Sequence, residues 1–254
     1  METFTARRSY LLADNYRRQG KKVVMGGFHV TFMPDEALLH ADSIFIGDAE
    51  SRWVEMIDDA RRGCLKVRYD APPGIAQIDA CQRSILPRRD LFIGKGYLPI
   101  SLMQFSRGCR FACSFCAVSQ YFGRRSYLRQ VDEVVREIES QGHRFVFFVD
   151  DNIASDHHAL AELCHALIPL NINWISQASI DVTKNRPLMD LMRKSGCWGN
   201  VIGFEPITPQ NLRDARKSPN IYGFTEYRDE IAALRDFGLQ TWAAFTLGYD
   251  NDTP

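Results

Sequence analysis

Five short apolar runs, separated by amphipathic helical stretches, dominate the sequence from residue 100 onward. The run at residues 145–149 is apolar throughout, as expected for a strand buried on both faces of a parallel sheet. The runs occupy residues 100–105, 145–149, 174–179, 201–204 and 241–247. Strands that alternate with helices predict βα units in series. We therefore predict an α/β fold in which residues 100–254 form a partial parallel (β/α) barrel, incomplete at its C-terminus.

The first 66 residues show the same alternation in shorter form. We predict a helix over residues 5–19, strands over 21–25 and 43–46, and a helix over 50–62. Two strands are too few for an open parallel sheet, so we expect a domain that is incomplete at its N-terminal side. Both ends of the chain are thus expected to lie within a longer protein.

Residues 67–99 contain Pro72-Pro73-Gly74 and show little periodicity. Proline and glycine at this density favour a connecting segment over a packed element. We predict a linker here, between a partial α/β domain over residues 1–66 and the barrel over residues 100–254.

The charge balance and the absence of long apolar runs restrict the classes of partner and the compartment that we expect for this chain. Thirty-one basic residues offset 31 acidic residues in a chain of 254, which gives no bias towards nucleic acid or an anionic membrane. No apolar run approaches the roughly 18 to 20 residues that span a bilayer, and the first 25 residues lack a signal-peptide core. We expect a cytoplasmic protein with no nucleic-acid partner and no membrane span.

Three of the seven cysteines, Cys109, Cys113 and Cys116, lie within eight positions directly after the first predicted barrel strand. Barrels of this kind build their sites on the loops at the C-terminal ends of the strands. Thiolates in a CxxxCxxC pattern are able to ligate one iron–sulfur cluster, and an ordinary four-iron cluster has four cysteine ligands. Three ligands would leave one iron open.

A structural zinc site is the alternative, since closely spaced cysteines also suit zinc. Zinc requires a fourth ligand, and the remaining cysteines form no second close pair. They are expected to be small buried hydrophobic residues. These are Cys64, Cys81, Cys164 and Cys197.

The loop resembles the signature of the radical S-adenosylmethionine (SAM) superfamily, CxxxCxΦC, in which Phe115 supplies the aromatic position. The resemblance implies that Cys109, Cys113 and Cys116 bind a [4Fe-4S] cluster whose open iron is chelated by SAM. It also implies reductive cleavage of SAM to a 5′-deoxyadenosyl radical. A reducing partner such as flavodoxin or ferredoxin is then required.

The resemblance also implies roles for polar residues at the other strand ends. After the second strand, Asp150 or Asp151 would receive the SAM amino group; the alternative is a cap for the next helix, for which Asp156 competes. Gln177 and Ser179 place hydrogen-bonding groups in the third strand.

Glu205 ends the fourth strand, where the family often has a carboxylate beside the ribose or methionyl part of SAM. A ribose diol suits an acceptor-only carboxylate. The alternative for Glu205 is a surface-loop charge. Residues 246–249 follow the fifth strand, where the family often packs adenine.

Other polar residues are predicted to be solvated. His157 and His158 point about 100° apart on a helix and cannot hold one ion together. Arg107, Arg124 and Arg125 flank the cysteine loop and are candidates for an anionic substrate or an electron donor, with solvated charge as the alternative.

The segment around Gly26-Gly27 resembles the C-terminal part of a Rossmann-like cobalamin-binding domain, which precedes the barrel in one class of radical SAM proteins. Paired glycines after a strand let a bulky ligand approach the backbone. No DxHxxG loop is present, and His29 is expected to be a polar loop residue.

The class resemblance implies a cobalamin-dependent C-methyltransferase acting on a small or lipid-like substrate. Ring formation or rearrangement by the same chemistry is the alternative, as is a non-enzymatic zinc or iron–sulfur module. Cobalamin is implied for the full-length parent. With only two predicted strands in the crevice, we expect residues 1–254 to bind it more weakly than a longer chain.

Overall fold

The computed structural model describes residues 1–71, 87–92, 94–206, 208–221 and 227–252. It divides the chain into two compact units, Met1–Ile85 and Leu86–Pro254. Several positions used in the sequence analysis lie outside the described residues. These are Pro72-Pro73-Gly74, Cys81 and Thr253-Pro254.

The N-terminal unit is a three-stranded parallel sheet with helices between its strands. The strand order is β1-β2-β3, and both pairings are parallel. The elements are α1 (Ala6–Arg18), β1 (Val24–Met25), α2 (Phe28–Phe32), α3 (Pro34–His40), β2 (Ser43–Ile46), α4 (Trp53–Arg61) and β3 (Arg68–Asp70). The predicted strand at 43–46 is confirmed with the same bounds. The predicted helices over 5–19 and 50–62 and the strand at 21–25 are confirmed with shorter bounds.

The first helix buries Ala6, Tyr10 and Ala13 in a core that also contains Val30 and Ile44. Leu11 is 64% exposed. Packing against α3 and the sheet, rather than apolar character alone, selects the buried face of α1.

The third strand lies inside the segment predicted to be a linker. Tyr69 of β3 is fully buried, stacks on Phe45 at 6.0 Å between ring centroids, and donates its hydroxyl proton to Asp59 Oδ2 at 2.8 Å. A buried tyrosine with a satisfied hydroxyl stabilises a strand that has no visible apolar run. The prediction of a linker from residue 67 is therefore wrong at β3, and residues 72–86 of that linker lie outside the described part of the chain.

The C-terminal unit contains the predicted βα series. Its described elements are β4 (Ser101–Met103), β5 (Ser106–Gly108), α5 (Ala117–Tyr121), β6 (Ser126–Leu128), α6 (Val131–Gln141), β7 (Phe145–Phe148), α7 (His157–Leu167), β8 (Asn173–Ala178), α8 (Arg186–Lys194), β9 (Cys197–Gly203), α9 (Pro209–Asp214), α10 (Ser218–Ile221), α11 (Tyr227–Asp236) and β10 (Gln240–Ala244).

Five of these strands form one parallel sheet in the order β4-β7-β8-β9-β10. The five predicted strands and the α/β class are thus confirmed. β5 and β6 form a separate antiparallel pair, so a short strand that the sequence does not predict precedes the cysteine loop.

The core of this unit lies between the sheet and helices α6, α7, α8 and α11. Trp174 and Phe148 are fully buried and meet edge to face, with ring centroids 5.6 Å apart. Burying a large apolar side chain contributes roughly 1.5 to 3 kcal/mol. This packing holds the strands rigidly and so positions the loops at their carboxyl ends.

No helix among the described residues is long and apolar enough to cross a membrane.

Candidate functional site

The cysteine loop connects β5 to α5. Gly108, the last residue of β5, has φ +88°, and a Cβ there would lie 2.2 Å from the carbonyl oxygen of Arg125. Only glycine fits this close approach. Cys109 follows directly, and Cys116 occupies the N-cap position of α5. The hairpin of β5 and β6 therefore fixes the start of the loop, and the N-terminus of α5 fixes its end.

The three cysteines line one cavity of about 270 Å³. Cys113 is 8% exposed, and Cys109 and Cys116 are partly buried. Burial raises the pKa of the Cys109 and Cys113 thiols above the ordinary value. Ionising them in this cavity requires a strong positive partner, such as a metal centre, which deprotonates its thiol ligands.

The arrangement fits a cluster better than a single ion. Within the described ranges, no three His, Cys, Asp or Glu side chains lie close enough to hold one metal ion. A zinc ion holds each of its thiolates at about 2.3 Å from one point, whereas each cysteine ligand of a four-iron cluster binds a different iron. The three thiols line one cavity without converging on a single point, which agrees better with ligation of different irons than with a single zinc ion.

The remaining cysteines differ among themselves. Cys164 and Cys197 are fully buried, as predicted, whereas Cys64 is exposed. The prediction for Cys64 is wrong because its backbone follows the end of α4 at the surface of the N-terminal unit. Cys81 lies outside the described residues.

Asp150 is fully buried and binds the backbone that precedes the cysteine loop. Its carboxylate accepts the backbone N–H groups of Phe105 at 3.0 Å and Ser106 at 2.5 Å, and the Ser106 hydroxyl at 2.6 Å. Burial raises the pKa of Asp150 to about 6. Asp150 does not line the cavity, so of the two aspartates predicted to receive the SAM amino group only Asp151 lies at the cavity. The Asp150 carboxylate positions the chain that leads to β5 instead.

Asp151, the next residue, lines the cavity. It accepts the backbone N–H of Gly108 at 2.8 Å. Burial raises its pKa, with the Gly108 N–H and the charge of Arg107 acting in the opposite direction. The helix-cap alternative is settled by Asp156, which accepts the N–H groups of His158 and Ala159 at 2.9 and 3.0 Å.

The third strand contributes Gln177 and Ser179 to the cavity. Gln177 is exposed towards it. The Ser179 hydroxyl donates to Asp181 and accepts an N–H of Asn152 at 3.0 Å. Phe115 also lines the cavity and is 49% exposed.

Glu205 pairs with Lys217, whose Nζ lies 2.6 Å from Oε2. Both side chains are largely buried and line the cavity. The surface-charge alternative for Glu205 is therefore wrong. Glu205 has φ +45°, and a Cβ on Gly203 would lie 2.4 Å from Glu205 Oε1. The carboxylate thus folds back over Gly203 towards Lys217.

Sequence reasoning missed Lys217 and Asn152. Nothing in the stretch before Lys217 marks it, because its place in the cavity depends on the fold of α9 and α10. Asn152 follows Asp150-Asp151 directly, and its position at the end of a buried strand was a usable signal.

Several charged residues flank the site without lining the cavity. Arg124 and Arg125 are exposed, and Arg107 Nε donates to Gln104 Oε1 at 2.9 Å. His158 is exposed, and His157 Nε2 lies 3.8 Å from Asp181 Oδ2. After the fifth strand, the N–H groups of Gly248 and Tyr249 bind Asp252 at 2.8 and 2.9 Å.

In the N-terminal unit, Gly26 and Gly27 follow β1. Gly27 has φ +102°, and a Cβ there would lie 2.2 Å from the Met1 nitrogen. The close approach at Gly27 is thus made by the chain itself, and a ligand-binding role for the two glycines stays a prediction. His29 lies in α2 and is 7% exposed, and its ring nitrogens contact Thr3 and Tyr10 at 3.1 Å. It is a buried helical residue, which corrects the loop prediction.

Comparison with known proteins points to one family. A family model described as the radical SAM superfamily matches residues 103–254, more than half of the chain. Bacteriochlorophyllide d C-12(1)-methyltransferase of Chlorobaculum tepidum is 28% identical over 261 residues, covering 99% of this chain and 56% of the relative. Anaerobic magnesium-protoporphyrin IX monomethyl ester cyclase of Rubrivivax gelatinosus is 30% identical over 261 residues, covering 91% of this chain and 46% of the relative.

Solved structures share the fold. The radical SAM methyltransferase TsrM from Kitasatospora setae, with cobalamin and a [4Fe-4S] cluster bound, matches with a TM-score of 0.72 at 19% identity, covering 95% of this chain and 54% of that one. The cobalamin-dependent SAM radical enzyme OxsB matches with a TM-score of 0.68 at 16% identity, covering 97% of this chain and 40% of that one. The chain spans about half the length of the curated relatives that it matches. The extent of the family match and the cysteine loop lead to one conclusion: this chain belongs to the radical SAM superfamily.

Proposed function

We propose that residues 100–254 form the core of a radical SAM enzyme in which Cys109, Cys113 and Cys116 ligate a [4Fe-4S] cluster. The observation that carries the proposal is the lining of one cavity by these three thiols together with Asp151 and the Lys217–Glu205 pair. When bound, the cluster supplies the electron that cleaves SAM reductively, and the protein supplies binding and orientation.

The cavity offers groups of both signs for the methionyl end of SAM. Asp151 presents a carboxylate suited to the amino group. Lys217 presents an ammonium suited to the carboxylate, and Glu205 holds that ammonium in place. Gln177 and Phe115 would contact the rest of the molecule. The hydroxyl of Ser179 already has two partners, so it acts through them rather than by binding SAM.

For the reaction, we propose cobalamin-dependent transfer of a methyl group to a carbon of a small or lipid-like substrate, performed by the longer protein to which this chain corresponds. The relatives named as methyltransferases support this reaction. A ring-forming reaction is the second candidate, because a relative at 30% identity is named as a cyclase. The unit containing Gly26-Gly27 would form part of the cobalamin-binding domain, with 67–99 as the boundary region.

The electron must come from a reducing partner, for which flavodoxin or ferredoxin is suited. The exposed Arg124 and Arg125 lie on the connection between α5 and β6, next to the cysteine loop, and would suit an acidic surface on such a partner. Opposite charges on two surfaces accelerate their encounter. The need to keep three thiols reduced favours the cytoplasm as the compartment.

Anaerobic reconstitution with iron and sulfide tests the cluster. We expect about four iron atoms per chain, and a change in the electron paramagnetic resonance (EPR) spectrum of the reduced cluster when SAM is added. Stoichiometric zinc without iron would contradict the proposal. An EPR spectrum that saturating SAM leaves unchanged would argue for four protein ligands.

SAM labelled with ¹³C in its methyl group separates the two candidate reactions. Methyl transfer by the longer protein places the label in the product, whereas ring formation leaves it in methionine. Label that stays wholly in methionine, with substrate consumed, would contradict the methyltransferase proposal.

A further inference from the structure

Asn152 lies at the carboxyl end of β7 and is 4% exposed. It lines the same cavity as the three cysteines. We propose that Asn152 is a positioning residue whose side-chain amide donates a hydrogen bond to Cys109 Sγ and thereby raises the reduction potential of the cluster. This inference rests on the proposed function, because it concerns the cluster that Cys109 would ligate.

Three contacts define the position of the amide. Asn152 Nδ2 lies 3.5 Å from Cys109 Sγ and 3.0 Å from Ser179 Oγ. The amide oxygen, Oδ1, accepts the backbone N–H of Ser179 at 3.2 Å. A backbone N–H can only donate, so this last contact fixes which end of the amide is the oxygen. The NH₂ group must then face Cys109.

The hydrogen bonds around Ser179 have only one consistent direction. Asp181 is a carboxylate and only accepts when ionised, so the Ser179 hydroxyl donates its proton to Asp181. The Ser179 oxygen is then free to accept from Asn152. One amide N–H is used there, and the second is left for the sulfur of Cys109.

Asp181, at the other end of these hydrogen bonds, is held by an ion pair with Arg110. Asp181 Oδ2 lies 2.7 Å from Arg110 Nη2 and 3.8 Å from His157 Nε2. Arg110 follows Cys109 in sequence, and its backbone N–H donates to Ser155 Oγ at 3.0 Å. The path from Arg110 through Asp181, Ser179 and Asn152 to Cys109 therefore begins and ends on the cysteine loop. A closed path of this kind holds the amide against the sulfur rather than leaving it free to rotate.

The expected effect follows from the charge change on reduction. One added electron increases the negative charge on the cluster and its thiolates. An N–H dipole whose positive end faces a ligand sulfur stabilises the more negative state, and hydrogen bonds to the sulfurs are among the factors that set cluster potentials. Removing the Asn152 amide should therefore lower the potential.

The test is an EPR-monitored redox titration of the reconstituted protein without SAM, using dithionite and mediators. Asn152→Leu removes the donor at similar volume, and Asn152→Asp replaces it with a carboxylate oxygen. We expect both variants to retain about four irons and to shift the one-electron equilibrium at least tenfold towards the oxidised cluster, about 59 mV.

Two further variants distinguish the effect of the Asn152 amide on the reduction potential from the effect of an added negative charge elsewhere. Ser179→Ala keeps the backbone N–H that binds Oδ1 but removes the acceptor that orients Nδ2, so a smaller shift in the same direction is expected. Gln120→Glu makes the amide-to-carboxylate change on the exposed face of α5. It should leave the potential close to that of the wild-type protein.

The outcomes are distinct. Wild-type potential in Asn152→Leu with a full cluster overturns this inference while leaving the proposed function intact. An equal shift in Gln120→Glu and Asn152→Asp also overturns it, since charge alone would then explain the effect. If the Asn152 variants hold no iron, an unchanged potential in Ser179→Ala overturns it instead. A wild-type chain that binds no cluster overturns the proposed function and this inference together.

Discussion

Lys217 Nζ lies 2.6 Å from Glu205 Oε2, inside the cavity that Cys109, Cys113 and Cys116 line. The two residues are 12 positions apart and come from different sides of α9. Their pairing places a partly buried cation beside the cysteine loop, with its charge balanced and its orientation fixed by a single carboxylate. This pair is the proposed binding partner of the methionyl end of SAM.

Lys217→Met should weaken SAM binding by roughly 1 to 3 kcal/mol, about 5- to 150-fold in the dissociation constant. The change removes the proposed partner of the SAM carboxylate. Equilibrium binding to the reconstituted protein measures it. Lys194→Met is the control, because Lys194 pairs with Asp190 on the surface of α8. Equal effects of the two variants would show that Lys217 has no specific role.

Gly203→Ala should weaken SAM binding through Glu205. The added methyl group would lie 2.4 Å from Glu205 Oε1, so the carboxylate must leave the position from which it pairs with Lys217. A double-mutant cycle with Glu205→Gln measures this coupling. We expect Gly203→Ala to cost much less SAM affinity when residue 205 is already glutamine. Strictly additive losses would mean that the methyl group acts elsewhere.

Single changes of Cys109, Cys113 or Cys116 to alanine should abolish binding of the cluster, because each removes one of only three thiolate ligands. Iron and sulfide analysis after anaerobic reconstitution measures the loss. Cys64→Ala should retain about four irons, since Cys64 lies exposed in the other unit. Comparable loss in all four variants would show that the ligands are misassigned.

The titration of Asp150 should make the free energy of unfolding depend on pH between about 4 and 6. Burial raises its pKa from 3.8 to about 6, so the folded state binds the proton more tightly than the unfolded state. The stabilisation from protonated Asp150 is fully present below pH 4 and is lost as the pH rises through about 6. One pKa unit corresponds to about 1.4 kcal/mol, which gives an expected change of roughly 3 kcal/mol.

Urea unfolding of the wild-type protein and Asp150→Asn across this pH range isolates the contribution of Asp150. Asparagine does not titrate, and the other groups cancel in the difference between the two proteins. We expect the stability of the wild-type protein relative to the variant to fall as the pH rises. A relative stability that rises with pH would show that the hydrogen bonds from Phe105 and Ser106 outweigh the cost of burial.

The sequence by itself was sufficient for the features whose signals are local. The CxxxCxxC spacing predicts a cluster-binding loop, because three ligands on one loop need no distant partner. The apolar run of β7 and the helical periodicity around it predict a parallel sheet, since strands buried on both faces must be apolar throughout. The order of the five strands follows from these units in series.

Tertiary structure alone decided which side chains reach the cavity. Asp150 and Asp151 are adjacent and chemically identical, yet one binds backbone N–H groups behind the loop and the other lines the cavity. Lys217 enters through the fold of α9 and α10, which no spacing in the sequence reports. β3 is stabilised by one buried tyrosine, and its pairing with β2 is a contact between distant segments. Local patterns carry no information on such contacts, so these assignments had to come from the packed structure.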